Sequence, residues 1–141
     1  MRSDHYKQSA LGMRINVTIL LVDDDPLQAF VRKSALEKHF PDVRRVKDPT
    51  ETLCLVEQPL FAQNLALVIS AQHMPGFGKA DFVDELHTRM PNLPVLVLGD
   101  ETTPQTGSWS DHLRWVSATA GTAEMVRLAG EMIALSETSA A

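Results

Sequence analysis

Asp23, Asp24 and Asp25 stand together at the end of an apolar run, Ile15 to Val22. Neighbouring carboxylates repel one another unless a positive group lies among them. Two uses are open to such a cluster. It can offer hard oxygen ligands to a divalent cation such as Mg²⁺. One member can also cap the helix that Pro26 opens, because Asp accepts from the free N–H groups of a first turn and Pro suits that turn. An acidic loop repels phosphate, which argues against a flavin or nucleotide cradle after this run. Other reactive side chains are dispersed. His39, His87 and His112 fall on separate segments without metal-ligand spacing and read as surface residues. Cys54 is the single cysteine, so it forms neither an internal disulfide nor a Cys-rich zinc site; it reads as a residue packed under a helix. Arg44, Arg45 and Lys47 are the one basic block and read as the decoration of a strand. No nucleophile–base pair stands out, so the chain reads as a non-enzyme.

The elements that must position the aspartates follow from the pattern of apolar residues. Ile15 to Val22 reads as a strand buried on both faces. A helix begins at Pro26, carries the apolar stripe Leu27, Phe30, Val31 and Ala35, and ends near Phe40-Pro41. Val43 to Val46 is a brief second strand. Asp48-Pro49-Thr50-Glu51 is a helix start with an N-cap and an acidic third position. That helix runs to about Glu57, with Pro59 as its stop. Leu65 to Ser70 is a third strand and Met74-Pro75-Gly76 a turn. A helix over Lys79 to Met90 turns Phe82, Val83, Leu86 and Met90 toward the sheet. Pro94 to Leu98 is a fourth strand. Gly99 to Asp111 is irregular, since Pro104 and Gly107 oppose a long helix there. Leu113 to Ser117 is a fifth strand, and Thr122 to Leu135 a helix with Met125, Leu128, Ala129 and Met132 on one face.

Such alternation predicts an α/β fold, a doubly wound five-stranded parallel sheet with helices on both faces. The helix between the fourth and fifth strands is expected to be short or irregular. The domain is expected over 15–135, between tails at 1–14 and 136–141, with no internal repeat. Right-handed crossovers bring the strand C-termini to one edge, where sites form in such folds. The residues at that edge are Asp23-Asp24-Asp25, Ala71, Gly99-Asp100 and Ser117-Ala118.

Three stretches carry a family resemblance. Ile19-Leu20-Leu21-Val22-Asp23-Asp24-Asp25-Pro26 resembles the opening of response-regulator receiver domains. Met74-Pro75-Gly76 is similar to their turn after the third strand, and Pro94-Val95-Leu96-Val97-Leu98 to their fourth strand. The matches span about Ile15 to Leu135. The resemblance implies the flavodoxin-like strand order 2-1-3-4-5 and a role in two-component phosphorelay signalling. In that family an acidic pair and an aspartate three residues before the Met hold Mg²⁺, and that aspartate takes the phosphoryl group. A Thr or Ser after the fourth strand and a Lys after the fifth contact the phosphoryl oxygens.

This chain departs at each of the last three positions. Asp23 and Asp24 supply the acidic pair, but Ala71 stands three residues before Met74, Gly99 at the hydroxyl position and Ala118 at the lysine position. A register slip at the fifth strand does not restore the lysine, because no Lys follows Lys79. A lysine without its acid would be a poorly paired charge in a partly buried site, so the losses are mutually consistent. Ser70, next to Ala71, points to the opposite face as a strand neighbour must. The expectation is therefore a stand-alone pseudo-receiver without a phosphoacceptor aspartate, acting by protein–protein contact. The alternative is a switch driven by phosphorylation at another residue or by a cation or ligand in the acidic pocket. No cofactor is required; Asp23, Asp24 and the backbone carbonyl of His73 form a residual, weak Mg²⁺ site. The resemblance places Trp115 where receivers carry a mobile aromatic; with Gly99 in place of the hydroxyl, simple packing is expected. Trp109, in an irregular stretch, is a candidate contact residue. The expected docking face comprises Trp109, Trp115 and the outward side of Thr122 to Leu135. Expected partners are a histidine kinase, another regulator or a second copy of the chain.

Composition excludes other classes. The 141 residues carry a net charge of −5, with 44% hydrophobic and 22% charged residues, ordinary for one globular domain. The charge balance argues against nucleic acid as a partner. No apolar run approaches the about 20 residues of a membrane span, and the first residues lack the apolar stretch of a secretory signal. A cytoplasmic protein without membrane contact is expected.

Overall fold

The three central strands contain almost nothing that can face water, which obliges the chain to cover both sides of its sheet. The computed structural model describes residues 17–71, 79–99, 113–117 and 121–140; the side chains of 79–81, 115 and 137–140 lie outside that description. The strands are β1 (Thr18–Val22), β2 (Asp42–Val46), β3 (Leu65–Ser70), β4 (Val95–Leu98) and β5 (Leu113–Val116). All pair in parallel, in the order β2-β1-β3-β4-β5. Every residue of β1, β3 and β4 is buried, whereas β2 alternates at the sheet edge.

Helices α1 (Pro26–Glu37) and α5 (Thr122–Ala140) cover one face, and α2 (Pro49–Val56) and α4 (Lys79–Arg89) the other. Side chains alternate between two cores, as strand geometry requires. Leu20, Val22, Val68, Val95 and Val97 pack with Val56, Phe82, Val83 and Leu86. Ile19, Leu21, Leu67, Ile69, Leu96 and Leu98 pack with Ala29, Leu36, Met125, Ala129 and Met132.

The predicted helices and strands are present, and besides the rotation of α1 the structure differs from expectation in four places; the predicted turn at 74–76 lies outside the described residues. Pro59 does not simply stop α2; it opens a further short helix, α3 (Pro59–Asn64), in the first-turn position that costs no hydrogen bond. α5 continues to Ala140 rather than ending at Leu135. Cys54 is exposed, not packed under a helix. His87 is half-buried, and its Nε2 lies 2.8 Å from the Leu93 carbonyl, to which it donates. Residues 100–112, on which the irregular fourth connection was predicted, lie outside the described residues.

The largest correction concerns the rotation of α1. Its predicted stripe faces solvent: Leu27 is 70% exposed, Phe30 69% and Val31 45%. The inward face carries Ala29 and Leu36, with Arg32 between them. At 3.6 residues per turn these two stripes lie about 180° apart on the helix. Burying Leu27, Phe30 and Val31 would therefore swing Arg32 away from the sheet. The position of Arg32 explains why the helix does not turn.

Candidate functional site

Three backbone hydrogen bonds extend the sheet just past its strands and fix the C-terminal rim. Asp23 N–H donates to the Val46 carbonyl at 3.0 Å, Ala71 N–H to Val22 at 2.9 Å and Gly99 N–H to Val116 at 2.8 Å. Asp23 follows Leu21 by two residues and Ala71 follows Ile69 by two, so both share the α1/α5 face of adjacent strands. Ala71 is 5% exposed. Its methyl thus stands beside Asp23 in an enclosed position. Ser70 follows Val68 by two and takes the opposite face, with Oγ donating to the Ala71 carbonyl at 3.4 Å. Its hydroxyl is turned away from Asp23.

Asp23 is 2% exposed, and each of its carboxylate oxygens accepts a hydrogen bond. Oδ1 accepts from the Asp25 N–H at 3.0 Å, and Oδ2 from Arg32 Nη1 at 2.7 Å. Arg32 is itself only 13% exposed. Close pairing is what such a site demands, since a buried carboxylate without a counter-charge is costly. A second guanidinium approaches from β2: Arg45 Nε donates to the Asp23 backbone carbonyl at 2.9 Å. Arg45 Nη2 is buried with no hydrogen-bond partner among the described residues.

The neighbouring acids have different tasks. Asp25 is the N-cap of α1, its Oδ1 accepting from Leu27 N–H at 3.0 Å and Gln28 N–H at 3.2 Å. Asp24 is exposed. Asp48 caps α2 in the same way, accepting from Glu51 N–H at 2.8 Å.

Mg²⁺ prefers a rigid octahedron of oxygens. One Asp23 oxygen is held by a guanidinium, a methyl stands at position 71, and Arg45 presents a further unmatched donor. Among the described residues no group of three or more His, Cys, Asp or Glu is placed to hold a metal ion. His73, Trp109 and Ala118 lie outside the described residues, as does the side chain of Trp115, whose backbone pairs with Val97.

Sequence reasoning brought Asp23, Ala71 and Gly99 to one rim but missed Arg32 and Arg45. A signal existed for each. Arg32 stands three residues after Ala29 and four before Leu36, inside a second small-apolar stripe. Arg45 shares the strand face of Val43, a core position. A basic residue at an inward position beside a buried acid is a recognisable pair.

Comparison with known proteins agrees with this fold. No family model matches the chain. It is 27% identical over 105 residues to a protein of Arabidopsis thaliana named as a two-component response regulator, ARR21. That match covers 74% of this chain but only 16% of the relative's length. Among solved structures, a response regulator receiver domain protein from Clostridium thermocellum superposes with a TM-score of 0.73 at 17% identity, covering 86% of this chain and 98% of that one. A response regulator receiver protein from Sinorhizobium medicae gives 0.73 at 14% identity, over 86% and 97%. The signal receiver domain of an HD domain-containing protein from Pseudomonas fluorescens gives 0.71 at 19%, over 90% and 93%. The chain thus has the flavodoxin-like receiver fold, and its resemblance to receiver domains holds in sequence and in structure. Among the described residues no helix is long and apolar enough to cross a membrane.

Proposed function

We propose that this chain, similar in sequence to a response regulator and folded as receiver domains are, is a pseudo-receiver of two-component signalling that takes no phosphoryl group on aspartate. It works in the cytoplasm through protein–protein contact and catalyses no reaction of its own. The observation that carries this reading is Ala71, whose methyl is enclosed beside Asp23 at the end of β3. A methyl cannot attack phosphorus, and no neighbouring hydroxyl replaces it: Ser70 faces the other core and Gly99 has no side chain.

A contact role is supported by α1. Leu27, Phe30 and Val31 form one exposed apolar patch next to the rim, and such patches mark interaction sites more often than isolated exposed residues do. The partner is a histidine kinase, another regulator or a second copy of the chain. The outward side of α5 offers a charged surface instead, with Arg127 bound to Glu124 and Glu131.

The test is incubation with a small phosphodonor and MgCl₂, followed by intact mass measurement. No base-labile phosphoryl adduct is expected. An adduct that base removes would overturn the reading, and a base-stable one would favour a switch operated at another residue.

A further inference from the structure

We propose that Arg32 is a built-in counter-cation, holding the acidic end of β1 in the place where a receiver of this fold would take a divalent metal ion. The inference rests on the reading of this rim as a receiver's rim that has lost its phosphoacceptor.

Asp23 has two carboxylate oxygens, and both already accept hydrogen bonds: one from the Asp25 N–H at 3.0 Å, the other from Arg32 Nη1 at 2.7 Å. The second is short and charge-assisted, the stronger kind of hydrogen bond. Asp23 is buried and Arg32 mostly so, which leaves the pair only weakly screened by salt. A divalent ion bound to Asp23 would have to displace the guanidinium or sit against it. Displacement leaves Arg32 inside without its acid, and coexistence places like charges in contact. Arg45 deepens the mismatch, because its Nε already holds the Asp23 carbonyl and its Nη2 adds a buried N–H that no metal can use.

The arrangement also explains why the helix turns its apolar stripe outward. Arg32 lies on the face opposite Leu27, Phe30 and Val31, so the same ion pair that fills the acidic site presents that patch to solvent. A metal ion can leave such a rim when its concentration falls; a side chain cannot. The site is therefore set in one charge state, independent of divalent cations.

Mn²⁺ binding, followed by electron paramagnetic resonance, tests this in the full chain and in two variants. Restoring the missing acid with Ala71→Asp is expected to raise Mn²⁺ affinity less than tenfold, because Arg32 still occupies Asp23. Adding Arg32→Met to Ala71→Asp is expected to raise affinity at least a further tenfold. Should that double variant not fold, Arg32→Gln keeps a neutral donor for Asp23 and takes its place. Equal Mn²⁺ affinity in Ala71→Asp with and without the Arg32 change would overturn the proposal. So would a rise in the thermal midpoint of the unaltered protein in MgCl₂ over NaCl of equal ionic strength, since a ligand that binds only the folded state stabilises it. A protein that takes Mg²⁺ yet no phosphoryl group would refute the counter-cation alone, whereas a base-labile phosphoryl adduct would refute the pseudo-receiver reading on which it rests.

Discussion

Helices α1 and α5 lie against each other on one face of the sheet, yet they present opposite surfaces to water. α5 buries Met125, Ala129 and Met132 and leaves Glu124, Arg127 and Glu131 outside. α1 buries Ala29, Leu36 and most of Arg32 and leaves Leu27, Phe30 and Val31 outside. Both sequences have an amphipathic period. In α5 the apolar residues find nothing but an apolar sheet beneath them, and hydrophobic burial sets the rotation. In α1 the sheet ends in a buried carboxylate, and one guanidinium decides which way the helix turns. Periodicity tells which residues share a face; it does not tell which face goes in when a buried charge waits below.

Substitutions on the two helices can sharpen or break this contrast. The largest effect is expected from Arg32→Met, which leaves Asp23 buried without its cation; breaking such a pair costs about 3–5 kcal/mol, read from the urea midpoint at unchanged denaturant slope. Replacing both partners, with Asp23→Leu added, should recover most of the loss, since an apolar pair of similar volume is often neutral. If Arg32→Met unfolds at the same midpoint as the parent, the account of the α1 rotation fails. Next comes Met132→Ala, fully buried on α5, at about 2–5 kcal/mol for the lost contacts and the cavity.

Phe30→Ser should change stability by no more than about 0.5 kcal/mol despite removing a large aromatic ring, because that ring is already in water. A loss as large as that of Met132→Ala would show that α1 buries its apolar stripe after all. The smallest effect concerns pH. A hydrogen bond from Arg127, with its charge, holds the Glu124 carboxyl below the usual carboxylate range. A depressed folded value gives stability that is present above the unfolded value of about 4.3 and is lost as pH falls through the folded one. Arg127→Ala should therefore slightly flatten the loss of stability on acidification, seen in urea midpoints measured from neutral pH downward.

Much of the architecture was legible because the central strands leave little choice. The runs Leu65–Ile69 and Val95–Leu98 are apolar throughout, and Pro26, Asp25 and Asp48 mark helix starts by their own stereochemistry. α3 was missed because its six residues are too few to show a period. The absence of a carboxylate at Ala71 was legible from its spacing to Met74. The pairing of Asp23 with Arg32 was not, since it joins a strand end to a helix face and depends on how that helix is turned. Arg45 hid for a related reason: a basic residue at a sheet edge reads as decoration until its strand's inward side is known.

The two border strands share a device. On β2, Arg44 is tethered to Asp42 at 3.3 Å and lies 5.6 Å from the centre of the Phe61 ring. On β5, Arg114 reaches Glu131 of α5 at 3.4 Å. Parallel sheets of this kind leave unpaired N–H and C=O groups along their outermost strands, a template onto which another molecule's strand can add. Anchored cations on both flanks make such stacking unfavourable. The charged borders of the sheet thereby oppose the joining of copies, strand to strand, into fibres.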